Sequence, residues 1–528
     1  MIPFRAPVDD ILFSLEHVAR ADRLPDWDAA LVREVIGQFG RFAETAIAPL
    51  DAVGDAQGCR LDQGRVRLPD GFAETYRAYT EQGWPGLALP EAHGGQGMSE
   101  PVLAAVSEIF SGACHALQMV AALVPGAART LLGFGTPQQQ ALWLPRLASG
   151  TWLATMALTE PGAGSDLGAI RTRAVPDGDG WRISGEKIFI SGGDQDLSEG
   201  ILHLVLARTG VPGEGTRGLS LFLVPSQDES GQRAPVTVAR LEEKMGLHAS
   251  PTCQLVFEGA PAELVGAPGE GLRAMFTMMN HARLDVALQG VAHAARAGAI
   301  ATAYAAERRQ GRDAQSGAPL AIAAHEDVRR MLETAEALAL GGRALCHLAA
   351  VALARGDAPD LVGFLTPVCK VFCTEAGVTA ADLGIQVLGG YGYLSEYRVE
   401  QTLRDARVTM IYEGTNGIHA LALVTRQLRG GGPEAFEAFV AASGGGEDLA
   451  EGLALWRAAR ARVLASSCPA ALAHPFMQLT AGLAYLAAWQ RIIAVADRSS
   501  DPTRLERAAA RVRGSVPVAL RGWAALVT

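Results

Sequence analysis

The stretch MALTEPGAGSD, residues Met156–Asp166, stands where the pattern of the chain changes. Before it, apolar residues recur at helical spacing. After it, short apolar runs separated by Gly, Asp and Pro turns continue to about residue 265, which indicates a small β-barrel or sandwich. Gly162 and Gly164 let the backbone approach a ligand closely. The same residues also fit a tight turn capped by Ser165 and Asp166, so both interpretations stay open.

The periodic segments on either side predict the order of the domains. The expected helical segments are Ala29–Ile47, Leu103–Leu123, Pro137–Leu147, Gly271–Arg309, His325–Arg355 and Thr366–Leu388. The expected strands are Thr172–Val175, Trp181–Ser184, Leu202–Ala207, Leu219–Val224, Val236–Arg240 and Cys253–Phe257. Long helices with short connections indicate an antiparallel bundle. The predicted domains are a helical domain over 1–153, a β-domain over 154–268, a helical bundle over 269–429 and an extra helical domain over 430–528.

Composition and charge exclude several classes of protein. The 528 residues carry a net charge of −10, which disfavours nucleic-acid binding because such binding depends on phosphate neutralisation by Lys and Arg. The chain has no run of ~18 uncharged apolar residues and no secretory pattern at its N-terminus. Its seven cysteines are dispersed and form no metal-binding motif. We therefore expect a soluble cytoplasmic protein without a metal, a Rossmann motif or a P-loop.

Three further motifs place glycines or polar residues where an apolar run ends. They are KIFISGG (187–193), QVLGGYGY (386–393) and RDARVTMIYEGTNG (404–417). Taken singly, the first fits a strand that ends in a glycine turn, and the second fits a helix C-cap. In the third, apolar residues precede Glu413 and disfavour its charged form, which raises its pKa toward that of a general base. An exposed glutamate at a helix N-terminus is the alternative interpretation.

Taken together and in this order, these motifs resemble the acyl-CoA dehydrogenase family. The matching motifs are TEPGAGSD (159–166), ISGG (190–193), QVLGGYGY (386–393) and IYEGTNG (411–417), with support from HARLDVALQGVA (281–292). The resemblance spans about residues 85–428. It implies a mainly α fold with a central β-domain: an N-terminal α-domain, a β-barrel and a four-helix bundle, here followed by a C-terminal helical extension.

The resemblance also implies an activity and its partners. It implies FAD-dependent dehydrogenation of an acyl-CoA thioester to the trans-2-enoyl-CoA. Electrons would pass to electron-transferring flavoprotein, and FAD would bind at the interface of a homodimer or of a dimer of dimers. The family resemblance does not distinguish this dehydrogenase from an acyl-CoA oxidase that uses O2.

Roles for individual residues follow from the same resemblance. Glu413 is implied as the base that removes the α-proton, because the position that some members use instead is Ala282 here. The implied cofactor-binding residues are Met156, Leu158, Thr159, Ile190, Ser191, Arg308, Gln386, Gly389, Gly390, Thr415 and Asn416. The implied substrate-binding residues are Ser165, Arg283 and Gly414. Glu326 stands where the family commonly has glutamine, which leaves its adenine contact open.

The flanks of the chain extend the usual family core. With MMNHARLD (278–285) and EEKMGLHASPTC (242–253), they resemble a longer subgroup that includes 3-methylthiopropionyl-CoA and broad-range fatty acyl-CoA dehydrogenases. The motifs leave the acyl group undetermined. A further alternative is the alkylation-response branch, whose extra helical domain binds DNA. However, Asp501 and Glu506 lie among the tail arginines, and such alternating charge is typical of a solvated helix face.

Lysine is scarce in this sequence. Only Lys187, Lys244 and Lys370 occur among 46 basic residues, although Arg and Lys differ in shape and donor geometry. We predict that Lys370, sixteen residues before Gln386, buries its stem in the bundle and reaches one acceptor with its ammonium. The alternative is that these lysines lie on the surface by chance.

Overall fold

The computed structural model describes residues 2–527, and most of them are helical. The helices are α1 Val8–Phe13, α2 Ala29–Phe42, α3 Ala48–Gln57, α4 Phe72–Glu81, α5 Glu100–Ala121, α6 Leu123–Phe134, α7 Pro137–Ala148, α8 Gly271–Glu307, α9 Glu326–Arg355, α10 Pro359–Leu388, α11 Val399–Arg407, α12 Asn416–Thr425, α13 Gly432–Ala441, α14 Glu447–Ala465, α15 Ala473–Ile493 and α16 Pro502–Ala525. The strands are β1 Arg60–Asp62, β2 Arg65–Arg67, β3 Trp152–Ala157, β4 Arg173–Asp177, β5 Gly180–Ser191, β6 Gly200–Arg208, β7 Leu219–Pro225, β8 Val236–Leu241, β9 Thr252–Val265, β10 Arg309–Arg312 and β11 Pro319–Ala321.

The chain divides into two compact units. The first comprises the chain up to Ala48, Ser99–Ala113 and everything from Arg283 onward, and the second comprises Pro49–Met98 and Cys114–Ala282. Helix α5 is interrupted at Cys114, whose φ of −157° and ψ of 94° are not helical.

The first unit contains a bundle of long helices. One buried cluster takes apolar residues from α8, α9, α10 and α11, among them Tyr304, Met331, Leu388 and Val399. Helices α8 and α10 approach each other at Gly290 and Gly377. A Cβ on Gly290 would lie 2.2 Å from the Cys373 carbonyl oxygen, and a Cβ on Gly377 would lie 2.7 Å from the Gly290 carbonyl oxygen. Glycine is required there because any side chain would collide with the facing backbone. The region corresponds to the four-helix bundle that the family resemblance implied.

The C-terminal extension packs on this bundle within the same unit. Helix α15 lies against α9, α10 and α12, and α16 lies against α9 and α15. An aromatic cluster joins the extension to α10: the Phe364 ring lies 5.1 Å from that of Phe436 and 6.4 Å, edge to face, from that of Trp456. The Trp456 ring lies 5.8 Å from that of Phe476. The Trp456 indole donates to Thr480 Oγ1 at 2.9 Å, so its buried N–H is satisfied.

The second unit contains a closed β-barrel. Its strands pair in a ring in the order β6, β4, β5, β9 and β7, and β7 returns to β6. The contact of β4 with β6 is the single parallel pair Arg173–Arg208, whereas β5 and β9 pair over most of their length. Strand β3 adds to β6 in parallel, and β8 adds to β9 antiparallel.

The predicted fold class is confirmed. Helix α10 begins at Pro359 rather than at Thr366, because proline fits the first turn of a helix, where its missing N–H costs nothing. Strand β3 was not predicted: Trp152–Ala157 is a short, almost entirely buried run without polar alternation, directly after a helix. The hairpins β1–β2 and β10–β11 were also not predicted.

Within residues 2–527, three helical segments are long and apolar enough to cross a membrane by length and composition alone. They are Glu100–Ala121, Glu326–Arg355 and Pro359–Tyr393. Their most apolar windows are 89%, 78% and 67% buried inside the protein, respectively. Packing within the protein therefore accounts for their composition.

Candidate active site around Glu413

The segment Ile411–Thr415 joins two helical stretches of the first unit, and Glu413 lies at its centre. Glu413 has φ of +53° and Gly414 has φ of +89°. A Cβ on Gly414 would lie 3.0 Å from His419 Nε2, so both the backbone conformation and the space favour glycine. Thr415 then caps α12 by accepting a hydrogen bond from the Ile418 N–H at 3.2 Å. The alternative interpretation, an exposed glutamate at a helix N-terminus, does not fit, because the helix begins after Thr415 and Glu413 is half-buried.

The Glu413 carboxylate is held without a full set of partners. Its Oε2 is buried and accepts no hydrogen bond from the residues that the structure describes. Burial raises the pKa of Glu413 to about 7, opposed by the charges of Arg283 and Lys370 and assisted by that of Asp285. This agrees with the direction that the apolar flank predicted. A carboxylate with such a pKa is suited to accept a proton near neutral pH.

The backbone of Glu413 is fixed from one side by α12 and α8. Its carbonyl oxygen accepts from His419 Nε2 at 3.1 Å and from Arg283 Nε at 3.5 Å. Burial lowers the pKa of His419 to about 3, so the ring is neutral and carries its proton on Nε2. Arg283 thereby lies beside Glu413, and its role in substrate binding stays a prediction.

Lys370 holds the loop immediately after Glu413. Its Nζ donates to the Gly414 carbonyl oxygen at 2.8 Å and to Asn416 Oδ1 at 2.9 Å. The predicted burial of Lys370 is confirmed, since the residue is 0% exposed. Its ammonium reaches two acceptors rather than one: the Gly414 carbonyl oxygen in the Glu413 loop and Asn416 Oδ1 at the start of α12. Burial lowers the pKa of Lys370 to about 7, despite the opposing effect of the Glu413 charge.

A second hydrogen-bond chain fixes the residue before Glu413. The Tyr412 hydroxyl donates to Gln289 Oε1, and Gln289 Nε2 donates to Asp285 Oδ2 at 3.0 Å. Asp285 also accepts from the Ser107 hydroxyl. Sequence reasoning missed these residues as part of the site, although Asp285 and Gln289 lie in the motif HARLDVALQGVA and are spaced four apart on one helical face.

In the second unit, the motifs TEPGAGSD and KIFISGG are joined by hydrogen bonds. Lys187 Nζ donates to the Leu158 carbonyl oxygen and to Glu160 Oε1, both at 2.8 Å. The Ile188 N–H donates to the Thr159 carbonyl oxygen at 2.9 Å. Burial lowers the pKa of Lys187 to about 8, against the charge of Glu160. Because the hydrogen bonds of Lys187 join the two motifs, we call this pair a structural clamp.

The predicted cofactor and substrate residues of the second unit lie on and beside this clamp. Leu158 and Ile190 are buried, Met156, Thr159 and Ser191 are half-buried, and Ser165 is exposed. A Cβ on Gly162 or Gly164 would meet no described atom within 4 Å. These segments therefore offer hydroxyl groups and open backbone beside an apolar floor, which is a combination that fits an aromatic ring with polar edges.

The remaining predicted cofactor residues of the first unit lie at the surface. Arg308, Gln386, Gly389, Gly390 and Thr415 are exposed. The Arg308 guanidinium lies over the Tyr391 ring, 5.8 Å from its centroid, which brings Arg308 to the turn that ends α10. Gly389 has φ of +61°, and a Cβ on Gly389 or Gly390 would meet no described atom within 4 Å. An arginine beside an open glycine turn fits a pyrophosphate.

Asn416 is placed differently from the other predicted cofactor residues. Its side-chain amide is half-buried, accepts from Lys370 and donates to Thr374 Oγ1 at 3.2 Å. The amide thus supports the Glu413 loop, and its contact with a cofactor stays a prediction.

Comparisons with known proteins identify the family of the chain. The N-terminal, middle and C-terminal domains of the acyl-CoA dehydrogenase family match residues 32–151, 155–260 and 269–428. A 3-methylmercaptopropionyl-CoA dehydrogenase of Ruegeria pomeroyi is 43% identical over 84% of this chain and 80% of its own length. A broad-specificity linear acyl-CoA dehydrogenase of Mycobacterium tuberculosis is 37% identical over 81% of this chain and 76% of its own length.

The fold of nearly the whole chain occurs in a solved structure. An acyl-CoA dehydrogenase of Bacillus anthracis complexed with FAD matches with a TM-score of 0.77 over 95% of this chain and 89% of its own, at 21% identity. At that identity the match concerns the fold, and it includes the C-terminal extension. The three family domains and the two relatives show that the chain belongs to the acyl-CoA dehydrogenase family and is an FAD-dependent oxidoreductase.

Proposed function

We propose that the protein dehydrogenates an acyl-CoA thioester to the trans-2-enoyl-CoA, with Glu413 as the base that removes the α-proton. The observation that carries this proposal is the Glu413 carboxylate, whose Oε2 is buried without a partner in the described residues and whose pKa is raised to about 7. Such a carboxylate is ionised in a useful fraction at neutral pH and still holds a proton well. Burial is the main cause of that raised pKa; the charges of Arg283 and Lys370 lower it, and the charge of Asp285 raises it.

The other residues orient the substrate and the cofactor. Arg283 and Ser165 would bind the CoA moiety, and the backbone at Gly414 would lie along the thioester. The hydroxyls and backbone of Thr159 and Ser191 would hold the flavin ring over the apolar floor of Leu158 and Ile190. Arg308, Gln386, Gly389 and Gly390 would hold the pyrophosphate and adenosine of the FAD bound to a second subunit. When bound, FAD supplies the acceptor for the β-hydride.

The assembly and the electron acceptor belong to the same proposal. Because the proposed FAD contacts of the first unit are surface residues, we infer a homodimer or a dimer of dimers in which each subunit completes the other's site. Electron-transferring flavoprotein is the proposed acceptor of the electrons. Turnover with that flavoprotein under anaerobic conditions distinguishes this proposal from an oxidase, which turns over only with O2.

The proposed substrates are linear acyl-CoA thioesters, including thioether-containing ones. Two relatives motivate this class, since one is named for 3-methylmercaptopropionyl-CoA and the other for linear acyl-CoA of broad specificity. A panel of saturated short-, medium- and long-chain acyl-CoA thioesters, together with 3-methylmercaptopropionyl-CoA, identifies the preferred acyl group.

Anaerobic bleaching of the flavin absorption tests the proposal. The best acyl-CoA of the panel should bleach the wild-type flavin, whereas Glu413→Gln should bind FAD and lose ~10² to 10⁴-fold in the bleaching rate. The exposed Glu506 on α16 offers a matched control, and Glu506→Gln should bleach at the wild-type rate. Bleaching of Glu413→Gln within about tenfold of wild type would show that another group takes the proton.

A further inference from the structure

The hydrogen bonds around Glu413 continue beyond Lys370 into the C-terminal extension. Asn416 Nδ2 donates to Glu375 Oε1 at 3.1 Å, and Gln478 Nε2 donates to Glu375 Oε2 at 2.8 Å. Glu375 lies on α10, and Gln478 lies on α15 of the extension. An unbroken series of hydrogen bonds therefore runs from the extension through Glu375, Asn416 and Lys370 to the carbonyl oxygen of Gly414.

This series fixes which way the Asn416 amide points. The Lys370 ammonium can only donate, so it requires the amide oxygen of Asn416 to face it. Glu375 can only accept when ionised, so it requires the amide nitrogen. A reversed amide would place a donor against the ammonium and an acceptor against the carboxylate. Gln478 in turn occupies the other oxygen of Glu375 and holds the carboxylate in place.

The backbone packing follows the same route. Helix α15 lies against both α10, which carries Lys370 and Glu375, and α12, which begins at Asn416 directly after the Glu413 loop. The loop itself combines positive φ at two successive residues, Glu413 and Gly414. Such a backbone persists only where its surroundings fix it, and a misplacement of ~1 Å at a reacting group costs ~10²-fold in rate.

We propose that Glu375 and Gln478 are positioning residues for Glu413, through which the C-terminal extension contributes to α-proton removal. This inference rests on the proposed role of Glu413 as the base. Both residues act through Asn416 and Lys370 on the loop that carries the base. On this inference, the extension helps to hold the catalytic loop in position through Gln478.

A polarity swap tests the inference. Gln478→Glu places a second carboxylate against Glu375 and should slow the limiting rate of flavin bleaching about tenfold or more at saturating acyl-CoA, with the FAD content unchanged. In the double variant Glu375→Gln/Gln478→Glu, the amide introduced at position 375 accepts from Asn416 and donates to the carboxylate introduced at position 478. The double variant should restore the rate to within about threefold of wild type, because every hydrogen bond has a donor and an acceptor again.

The outcomes separate positioning from general stability. Gln490→Ala, on the same helix as Gln478, should leave the bleaching rate unchanged, whatever it does to the melting temperature. A wild-type rate in Gln478→Glu, or no recovery in the double variant once it is shown to be folded and flavin-loaded, would overturn the inference. If instead Glu413→Gln itself keeps the wild-type rate, the proposed function fails first, independently of Gln478.

Discussion

The raised pKa of Glu413 predicts a pH dependence of catalysis that an ordinary glutamate would not give. A carboxylate with a pKa of about 7 is roughly one-tenth ionised at pH 6 and roughly nine-tenths ionised at pH 8. Since only the ionised form accepts the α-proton, kcat/KM should rise about tenfold between these values and level off above them. With the ordinary pKa of 4.5, Glu413 would be almost fully ionised at both, and the profile would be flat.

Two neighbouring charges shift the pKa of Glu413 in opposite directions and so test the prediction further. Asp285 raises the pKa of Glu413, so Asp285→Asn should move the midpoint of the profile to lower pH. Lys370 lowers the pKa of Glu413, so Lys370→Met should move the midpoint to higher pH. Both substitutions remove hydrogen bonds and will also reduce the plateau rate, but only a charge effect moves the midpoints in opposite directions.

The assay is the rate of anaerobic flavin bleaching at low acyl-CoA concentration, measured across the pH range. A thioester of dephospho-CoA serves as a control, because it lacks a phosphate that titrates in the same range. A profile that stays flat from about pH 5.5 to about pH 8.5, or midpoints of the two variants that move in the same direction, would refute the reasoning.

The same structure supports three further predictions. The pKa of Glu413 is higher in the folded chain than its ordinary value of 4.5, so the folded state binds the proton more tightly than the unfolded state does. The free energy of unfolding of wild type should therefore fall by about 3 kcal/mol as pH rises from 4.5 to about 7. Glu413→Gln should therefore be more stable than wild type in urea at pH 8 and gain little near pH 5; an equal gain at both would contradict this. Lys370→Arg should overpack a fully buried site and lower the free energy of unfolding by roughly 1–3 kcal/mol, with the flavin spectrum intact. Thermal melting of the FAD-saturated variant measures this, and an unchanged melting midpoint would contradict it. The proposed FAD site takes residues from two subunits, so FAD should bind only the assembled state, and its removal should favour dissociation. A stable, fully flavin-loaded monomer in light scattering would contradict this.

The fold could be predicted well from periodicity and turn residues. The long helices α8, α9 and α10 have apolar residues throughout, and glycine, aspartate and proline turns delimit most barrel strands. The strand Trp152–Ala157 escaped prediction because it is buried on both faces and carries no alternation. The domain limits at 153, 268 and 429 remain predictions, since the compact units of the structure divide the chain differently and interleave its segments.

The candidate site was predicted only where a motif is continuous in sequence. Glu413, Gly414 and Arg283 were assigned to the site from the sequence because each lies within a recognised motif. In the structure Arg283 Nε donates to the Glu413 carbonyl oxygen at 3.5 Å. Lys370, Glu375 and Gln478 were not assigned to the site, because their contacts join residues between 41 and 103 positions apart and leave no periodic trace. The sequence signal for Lys370 was that it is one of only three lysines among 46 basic residues.

The most direct test of Glu413 as the base separates proton removal from hydride transfer. A 3-thia-acyl-CoA has sulfur in place of the β-carbon, so it can lose an α-proton but no β-hydride. In D2O, wild-type enzyme should exchange the α-protons of this thioester for deuterium, and NMR should show exchange slowed at least ~10²-fold in FAD-loaded Glu413→Gln. Exchange by that variant at a rate near that of wild type would contradict the assignment of Glu413 as the base.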